Sequence, residues 1–464
     1  MNTLPPDPDP VPITPPTASQ RVIAAFERLT EAGRPELWTT LRAVEDVLVD
    51  AKAVDARVQA GESLPLAGTV IAVQDLIDVA GQPSGHGVPE TSAAVVTRLT
   101  AAGAVVLGKT GAAPVSAAWD RTRVGGNGAA VAVALGVVDL ALSTGGAVPA
   151  ALNAVAAVKP TRGLLPDDVS VYANGLVPAH RALAVMTGGD RSWPADVRLG
   201  AGEHPRIAYP DDLPLGEAAS LALKTVVARL TAAGAVLTPV SEPALDGFDA
   251  LVMPTVPEHP EIADALADPA GVGHRLAACT AFANLLDVAA VTVPVLPGDR
   301  RPFGATFLAR AFEDQIALDL AAVCTDEPMT PYPEPGEDVV VFGAHLRGQP
   351  LNADLTALGA RFAGPVRTTE AYRMVLLDTE PPQPGVLEGG TSLDGERWRL
   401  SPAAFERFAA TLKEPFVLDR VVLDDGSAPL AVRCLTAEGP DLDRYESWRG
   451  YVRFASTAGP RDPG

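Results

Sequence analysis

One helix–glycine–strand unit occurs twice in this sequence, and it limits the chain to a small set of folds. The segment RLTAAGAVVLGKT begins at Arg98, and the segment RLTAAGAVLTPV begins at Arg229. In each, a helical pattern ends at a glycine, Gly103 or Gly234, and an apolar β-rich run follows at once. A third run, FDALVMPTVP from Phe248, is apolar throughout its centre. Helices that alternate with continuous apolar strands predict an α/β fold whose sheet is covered on both faces.

Another junction of strand, glycine and helix lies at Leu140–Asn153, LALSTGGAVPAALN. Gly145 and Gly146 permit a sharp turn, and Pro149 suits the first turn of a helix. Such a junction directs backbone N–H groups at one point, where an oxyanion can be stabilised. The residue after the glycines is Ala147, whose side chain carries no chemistry. The sequence therefore predicts a catalytic elbow without its nucleophile.

The charge balance and the cysteines exclude several classes of function. The 464 residues include 36 Lys and Arg against 57 Asp and Glu, a formal net charge of −21. This acidic excess argues against binding to nucleic acid or to an anionic membrane surface. The three cysteines lack the spacing of a metal site or of a disulfide framework, and the N-terminal residues lack the pattern of a signal peptide. We expect a cytoplasmic protein with no metal and no cofactor.

Changes in composition divide the chain into two domains. Residues 1–18 are rich in proline and are predicted to form a disordered tail, and the first domain is predicted over residues 19–324. The segment TDEPMTPYPEPGED contains too many prolines and acids to continue a sheet or a helix, which places a linker at residues 325–337. A second domain is predicted over residues 338–457, followed by a short tail at residues 458–464.

Segments in both domains carry a family resemblance. They are ESLPLAGTVIAVQDLIDVAG, VPAALNAVAAVKPTRG and PFGATFLARAFED before the linker, and FGAHLRGQPLN, GARFAGPVRTTEAYR and SWRGYV after it. These segments resemble the amidase signature family, and within it the allophanate hydrolases, over nearly everything after residue 20. The resemblance implies an α/β first domain, with an amidase-signature-like mixed sheet covered by helices. It also implies a small α+β C-terminal domain of γ-glutamyl cyclotransferase-like fold.

The resemblance fails at the residues that would carry the amidase reaction. Members of the family cleave an amide with a nucleophilic serine, a second serine in a cis peptide and a lysine that starts the proton relay. Here Gln74 occupies the lysine position, the loop VGGNGAAVAVALG contains Asn127 but no hydroxyl, and Ala147 lies near the nucleophile position. An amide cannot accept a proton near neutral pH. The resemblance therefore implies a pseudo-amidase domain that has kept its fold.

Two replacement sets keep an active first domain open as an alternative. Ser143 or Thr144, just before the glycines of the elbow, could act as a nucleophile with Lys109 as the base. Cys279 is a thiol, which needs less activation than a hydroxyl. Each residue also has an ordinary interpretation, since lysines often end strands and a cysteine within an apolar helical pattern is often buried.

The second domain contains polar residues that suit a small carboxylate. His345 follows a strand at a glycine, and imidazole suits acid–base work near neutral pH, while Glu396 is a second candidate catalytic residue. The candidate binding residues are Arg347, Asn352, Arg361, Arg367, Tyr372 and Arg373. By resemblance, His345 and the arginines lie in the pocket where allophanate hydrolases are proposed to release carbon dioxide from the carboxylated product of the amidase step. The ordinary alternatives are surface ion pairs and a histidine bonded to the backbone.

These observations predict an allophanate hydrolase-related protein. Its first domain is expected to be an inactive scaffold, and its second domain is expected to bind, and to transform, a small-molecule ligand of the carboxylate or carbamate type. A homodimer is the expected assembly. The alternatives are a wholly non-catalytic binding or regulatory partner of a true hydrolase, and an active amidohydrolase with a replaced catalytic set.

Overall fold

A large mixed sheet forms the centre of the first domain. The computed structural model describes residues 15–111, 116–118, 120–280, 287–295, 303–328, 336–445 and 447–457. The strands of the first domain are β1 (Trp38–Leu41), β2 (Val70–Gln74), β3 (Val105–Thr110), β4 (Ser116–Ala117), β5 (Val124–Gly126), β6 (Leu140–Ser143), β7 (Ala156–Lys159), β8 (Ser170–Ala173), β9 (Arg206–Pro210), β10 (Val236–Val240), β11 (Ala250–Pro254), β12 (Val288–Val295) and β13 (Phe303–Arg310). An 11-stranded sheet has the order β1-β3-β2-β6-β8-β7-β12-β13-β11-β9-β10, and β4 pairs separately with β5.

The strand directions bring the ends of β2 and β6, which carry Gln74 and Ser143, to the same edge of the sheet. Strand β2 runs parallel to both β3 and β6, and Val73 of β2 lies opposite Leu142 of β6. Because the carboxyl ends of parallel strands meet at the same edge of a sheet, Gln74 and Ser143 lie next to each other. Strands β9, β10 and β11 are also parallel, whereas the remaining pairs of the sheet are antiparallel.

Helices cover both faces of this sheet, which confirms the predicted α/β architecture. They are α1 (Ala18–Ala32), α2 (Val44–Gln59), α3 (Ala94–Ala101), α4 (Gly128–Ala134), α5 (Ala147–Leu152), α6 (Leu176–Met186), α7 (Glu217–Ala232), α8 (Ile262–Ala267), α9 (Pro269–Ala277) and α10 (Asp314–Thr325). Along β2, Ile71 and Val73 enter the larger apolar core, while Val70 and Ala72 enter a second core under α1, α2 and α4. This alternation explains why the strand is apolar at every position except its last.

The repeated unit has the predicted structure at both places. Helix α3 is followed by Gly103 with φ +99° and then by β3, and helix α7 is followed by Gly234 with φ +97° and then by β10. The two copies differ in burial, because β3 is an interior strand and β10 is the exposed edge of the sheet. The same short sequence pattern therefore occurs once in the interior of the sheet and once at its edge.

The second domain is built on a smaller sheet. Its strands are β14 (Glu337–Val341), β15 (Arg361–Arg367), β16 (Tyr372–Leu377), β17 (Gln383–Glu388), β18 (Asp394–Leu400), β19 (Phe416–Arg420) and β20 (Leu430–Cys434), and its helices are α11 (Asn352–Thr356), α12 (Pro402–Thr411) and α13 (Trp448–Thr457). Five strands form a sheet in the order β15-β18-β14-β20-β19, and β16 pairs with β17. A separate apolar core fills this domain. The likeness to γ-glutamyl cyclotransferases stays a prediction.

Main-chain hydrogen bonds and ion pairs join the two domains. The N–H groups of Leu199 and Gly200 donate to the Gly359 carbonyl oxygen at 2.9 and 3.1 Å. A Cβ atom on Gly359 would lie 2.8 Å from Arg198 Cγ, so only glycine permits this close approach. The guanidinium of Arg361 forms a bidentate ion pair with the carboxylate of Asp319 at 3.0 and 2.9 Å. The domains therefore meet through specific polar contacts.

The predicted tails and linker fall largely outside the described residues. Of the predicted tail, Thr17 accepts a hydrogen bond that caps α1, and Ala18 is its first residue. The central part of the predicted linker and all of residues 458–464 lie outside the described ranges. Among the described residues, no helix combines the length and the apolar character needed to cross a bilayer.

Candidate functional site

The junction predicted as a catalytic elbow has the expected backbone. Strand β6 ends at Ser143, Gly145 and Gly146 form the turn, and α5 begins at Ala147. A Cβ atom on Gly145 would lie 2.9 Å from Asn127 Nδ2 and 3.1 Å from Ser143 Oγ. A side chain at position 145 would therefore have to displace one of these polar groups. Ala147 presents a methyl group at the start of the helix.

The amide of Gln74 is the acceptor at the centre of this region. Its Oε1 atom accepts from Ser143 Oγ at 3.1 Å, from the Thr144 N–H at 2.6 Å and from Thr144 Oγ1 at 2.9 Å. Both hydroxyls that could replace the nucleophile thus direct their protons at an amide oxygen, which has no basicity near neutral pH.

Asn127 and Tyr172 complete the hydrogen bonding around Ser143. Asn127 caps α4 by accepting from the Ala130 N–H, and its Nδ2 donates to Ser143 Oγ at 3.0 Å and to Tyr172 Oη at 3.4 Å. The Tyr172 hydroxyl in turn donates to the Gly146 carbonyl oxygen at 2.9 Å. Burial raises the pKa of Tyr172 to about 12, so the phenol stays protonated. We call Gln74, Asn127, Ser143, Thr144 and Tyr172 the elbow network.

Lys109, the candidate base of the first replacement set, contacts Asp75. It lies in β3, and its buried Nζ donates to the Asp75 carbonyl oxygen at 2.8 Å and lies 3.8 Å from the Asp75 carboxylate. Burial lowers its pKa, and the nearby carboxylates oppose that shift. The lysine at this strand end therefore anchors the loop that follows β2.

A small cavity persists beside Ala147. It has a volume of 140 Å³ and is lined partly by Lys159, Ser170, Thr280, Thr292 and Thr306. Lys159 Nζ donates to the Val288 carbonyl oxygen at 3.2 Å, and Thr292 Oγ1 lies 2.9 Å from Thr306 Oγ1. Lys159 and the two threonines thus have partners, and the elbow contributes Gly146, Ala147 and Val148 to the cavity wall.

Cys279, the second replacement nucleophile, lies in a different place. It is buried and lines a separate cavity with Leu213, Pro257 and Arg275. Burial raises the pKa of its thiol to about 11, which is opposite to the shift that activates a nucleophilic cysteine. The structure therefore favours the ordinary interpretation of a buried cysteine.

The second domain contains a larger open pocket of 520 Å³. Its charged and polar side chains are Arg367, Asp394, Glu396, Asp424, Ser447 and Arg449. The buried Glu396 carboxylate accepts from the Arg347 N–H at 2.8 Å, from Trp398 Nε1 at 3.3 Å and from Arg449 Nη2 at 2.8 Å. Glu396 is therefore held from three directions, with its remaining exposure toward the pocket.

Only some of the predicted residues of the second domain meet in this pocket. Arg367 and Glu396 line it, whereas the ring of His345 packs edge-on against Phe408, 5.4 Å between centroids. Asn352 donates to the His345 carbonyl oxygen at 2.9 Å and so supports the loop. Arg361 pairs with a carboxylate of the first domain.

Two further predicted binding residues, Tyr372 and Arg373, contribute to the packing of the second-domain strands. One candidate residue of the pocket was not predicted from the sequence. The hydroxyl of Tyr372 accepts from the Val422 N–H at 2.8 Å, and Arg373 lies opposite Leu387 in the β16–β17 pair. The sequence reasoning missed Arg449, whose guanidinium bonds Glu396. A signal was present, because Arg449 belongs to the SWRGYV segment that carries the family resemblance.

We expect His345 to make the protein less stable as the pH falls. Burial lowers the pKa of His345 below its ordinary value of 6.5, and the Asp354 carboxylate 3.7 Å away only partly opposes this shift. The unfolded chain therefore takes up a proton at a higher pH than the folded one, so the free energy of unfolding decreases as the pH falls below 6.5. Urea unfolding of the wild type and of His345→Gln at several pH values measures this, and the variant should show the shallower dependence. Equal slopes would contradict the assignment.

Comparison with known proteins agrees with the two-domain structure. The family model described as Amidase matches residues 21–187, and the one described as Allophanate hydrolase C-terminal domain matches residues 337–453. Urea amidolyase of Lachancea kluyveri is 27% identical over 85% of this chain, and that of Saccharomyces cerevisiae is 24% identical over 90% of it. The chain spans about a third of the length of these curated relatives, 30% and 31%.

A solved structure has the same fold over nearly the whole chain. Allophanate hydrolase of Kluyveromyces lactis superposes with a TM-score of 0.77 and 24% identity, covering 95% of this chain and 97% of its own. At this identity the likeness concerns the fold. Together with the two family models, it shows that this chain joins an amidase signature domain to an allophanate hydrolase C-terminal domain and is a homologue of urea amidolyase and allophanate hydrolase.

Proposed function

We propose that the first domain does not hydrolyse amides and serves as a scaffold, and that the second domain binds a small compound of the carbamate type. The observation that carries the first part is the direction of the hydrogen bonds at Gln74. Ser143 and Thr144 both donate to its amide oxygen, so neither hydroxyl has a base. A tetrahedral intermediate would need both an activated nucleophile and stabilising donors, and the first of these is missing.

The charges in the second-domain pocket support a ligand that carries both N–H donors and a carboxylate. Arg367 is paired with Asp394 at 3.1 Å, and Arg449 is paired with Glu396 at 2.8 Å. A simple carboxylate would compete with Asp394 and Glu396 for the guanidinium groups. A carbamoyl group next to a carboxylate can instead donate to the acidic side chains while its carboxylate accepts from the arginines. By a carbamate-type ligand we mean a compound that carries a carbamoyl group and a carboxylate. The complementarity of the pocket favours such a compound over a plain carboxylate.

Ammonia release from allophanate by the purified full-length chain tests the first part. We expect no release above the buffer rate. Ammonia release that is abolished by Ser143→Ala or Thr144→Ala, but retained by Cys279→Ala, would instead establish an active amidohydrolase with a replaced catalytic set.

Calorimetry with malonamate, which carries a carboxylate and a carbamoyl group, tests the second part. Propionate, without the carbamoyl group, and propionamide, without the carboxylate, are the matched control ligands. We expect malonamate to bind more tightly than either. Equal or absent binding of all three would contradict the proposed ligand class and would favour a wholly non-catalytic regulatory partner.

The remaining expectations of a homodimer and of a cytoplasmic protein stay predictions. Light scattering that gives the mass of a single chain would contradict the homodimer.

A further inference from the structure

The main chain of Arg347 holds both charged partners at the base of the second-domain pocket. Its N–H donates to Glu396 Oε2 at 2.8 Å, and its carbonyl oxygen accepts from Arg449 Nη2 at 2.8 Å. The same Arg449 nitrogen also donates to Glu396 Oε1 at 2.8 Å. The geometry of the Glu396–Arg449 pair therefore depends on where the Arg347 peptide units lie.

The side chain of Arg347 points to the first domain rather than into the pocket. Its Nε lies 3.0 Å from Glu203 Oε1, and its guanidinium carbon lies 4.6 Å from the centroid of the Phe362 ring. Glu203 belongs to the first domain, in the connection between α6 and β9. A residue of the first domain thus contacts the side chain whose backbone orders the pocket.

A second set of contacts runs to the same carboxylate. The Phe362 ring meets the Trp398 ring edge-on, 5.6 Å between centroids, and Trp398 Nε1 donates to Glu396 Oε2 at 3.3 Å. Glu203, Arg347, Phe362 and Trp398 also line one cavity of 430 Å³ between the domains. The contacts of Arg347 and those of Trp398 therefore converge on Glu396 from the domain interface.

We propose that Glu203 is a positioning residue for the second-domain pocket, acting through Arg347 to hold Glu396 and Arg449 in place. The scaffold role proposed for the first domain then includes a specific contact, the ion pair from Glu203 to Arg347. Exposed ion pairs contribute little to global stability. We therefore expect the effect at the geometry of Glu396 rather than in the free energy of unfolding.

The indole N–H of Trp398 reports this geometry directly, because it donates to Glu396. In the full-length chain labelled with ¹⁵N-tryptophan, the five tryptophans give five indole signals, and Trp398→Phe identifies the one of interest. Glu396→Gln supplies the signal position when the carboxylate is lost. We expect Glu203→Gln to move the Trp398 signal toward that position.

Asp319→Asn is the matched control. It breaks the other charged contact that lines the same cavity, the ion pair between Asp319 and Arg361. We expect this variant to leave the Trp398 signal in place. An equal displacement in both variants, or none in Glu203→Gln, would overturn the proposal. The reciprocal exchange Glu203→Arg with Arg347→Glu should return the signal toward its wild-type position.

Malonamate affinity gives a second readout, which rests on the proposed function. Loss of the Glu203 charge should weaken malonamate binding by about two- to fivefold, the range that an exposed ion pair commonly contributes. Asp319→Asn should not weaken it. If malonamate does not bind the wild type but the indole signal moves, the proposed ligand class fails and the positioning role stands. If malonamate binds all three proteins equally and the signal stays, the positioning role fails and the ligand class stands.

Discussion

Replacing Gln74 by lysine is expected to leave the chain without amidase activity and to lower its free energy of unfolding by about 3 kcal/mol. Gln74 is buried, and its Oε1 atom accepts from Ser143 and twice from Thr144. A charged lysine can only donate, so the Thr144 N–H would lose its acceptor, and the Ser143 and Thr144 hydroxyls would have to turn to accept from a buried ammonium group. Ala147 still carries no nucleophile, so on the proposed function a lysine at position 74 does not by itself restore amide hydrolysis.

Urea unfolding and ammonia release from allophanate measure the two parts of this prediction. Gln74→Glu is the matched control, because its carboxylate keeps an oxygen acceptor for the same three donors. It should remain closer to the wild type in stability than Gln74→Lys. Ammonia release by the lysine variant would show that the rest of the catalytic set is present after all.

Replacing Glu396 by alanine is expected to abolish malonamate binding and to cost about 3 kcal/mol of stability. The buried indole N–H of Trp398 and the N–H of Arg347 would both lose their acceptor. The Arg449 guanidinium is about half exposed, at 47%, and water can replace its partner. The cost therefore comes mainly from the two neutral donors.

Calorimetry and urea unfolding of Glu396→Ala measure these effects, with Asp394→Asn as the control from the same pocket. The Asp394 side chain is 54% exposed, so its change should cost little stability and weaken binding only partly. Wild-type affinity in Glu396→Ala would remove this residue from the binding site.

The backbone of the elbow could be predicted from the sequence, but its hydrogen bonds could not. Gln74 ends an apolar strand and Ala147 starts a helix, and both patterns are local. The donors to Gln74 come from residues 69 and 70 positions away. Their direction depends on how β2 and β6 pair in the sheet, which periodicity does not determine.

The second domain shows why residue type alone is a weak guide to a pocket. Arg361 is predicted to bind a ligand, and in the structure it pairs with Asp319 at the 430 Å³ cavity rather than lining the 520 Å³ pocket. A guanidinium group needs hydrogen-bond acceptors. The sequence does not determine which residues supply them. His345 follows its strand as expected, and its ring packs on Phe408. This contact could not be predicted, because a turn after a strand does not determine to which side the next side chain points. Arg449 reaches Glu396 across 53 residues.

The direction of the hydrogen bonds at Gln74 also bears on proton transfer through the elbow network. A proton wire conducts when each group donates to the next and accepts from the previous one, whereas here three donors end on a single oxygen. The Thr144 N–H can only donate, and the Gln74 amide oxygen carries no proton to pass on. These three bonds therefore tie the end of β2 to the turn after β6, so the position of that turn depends on a single buried amide.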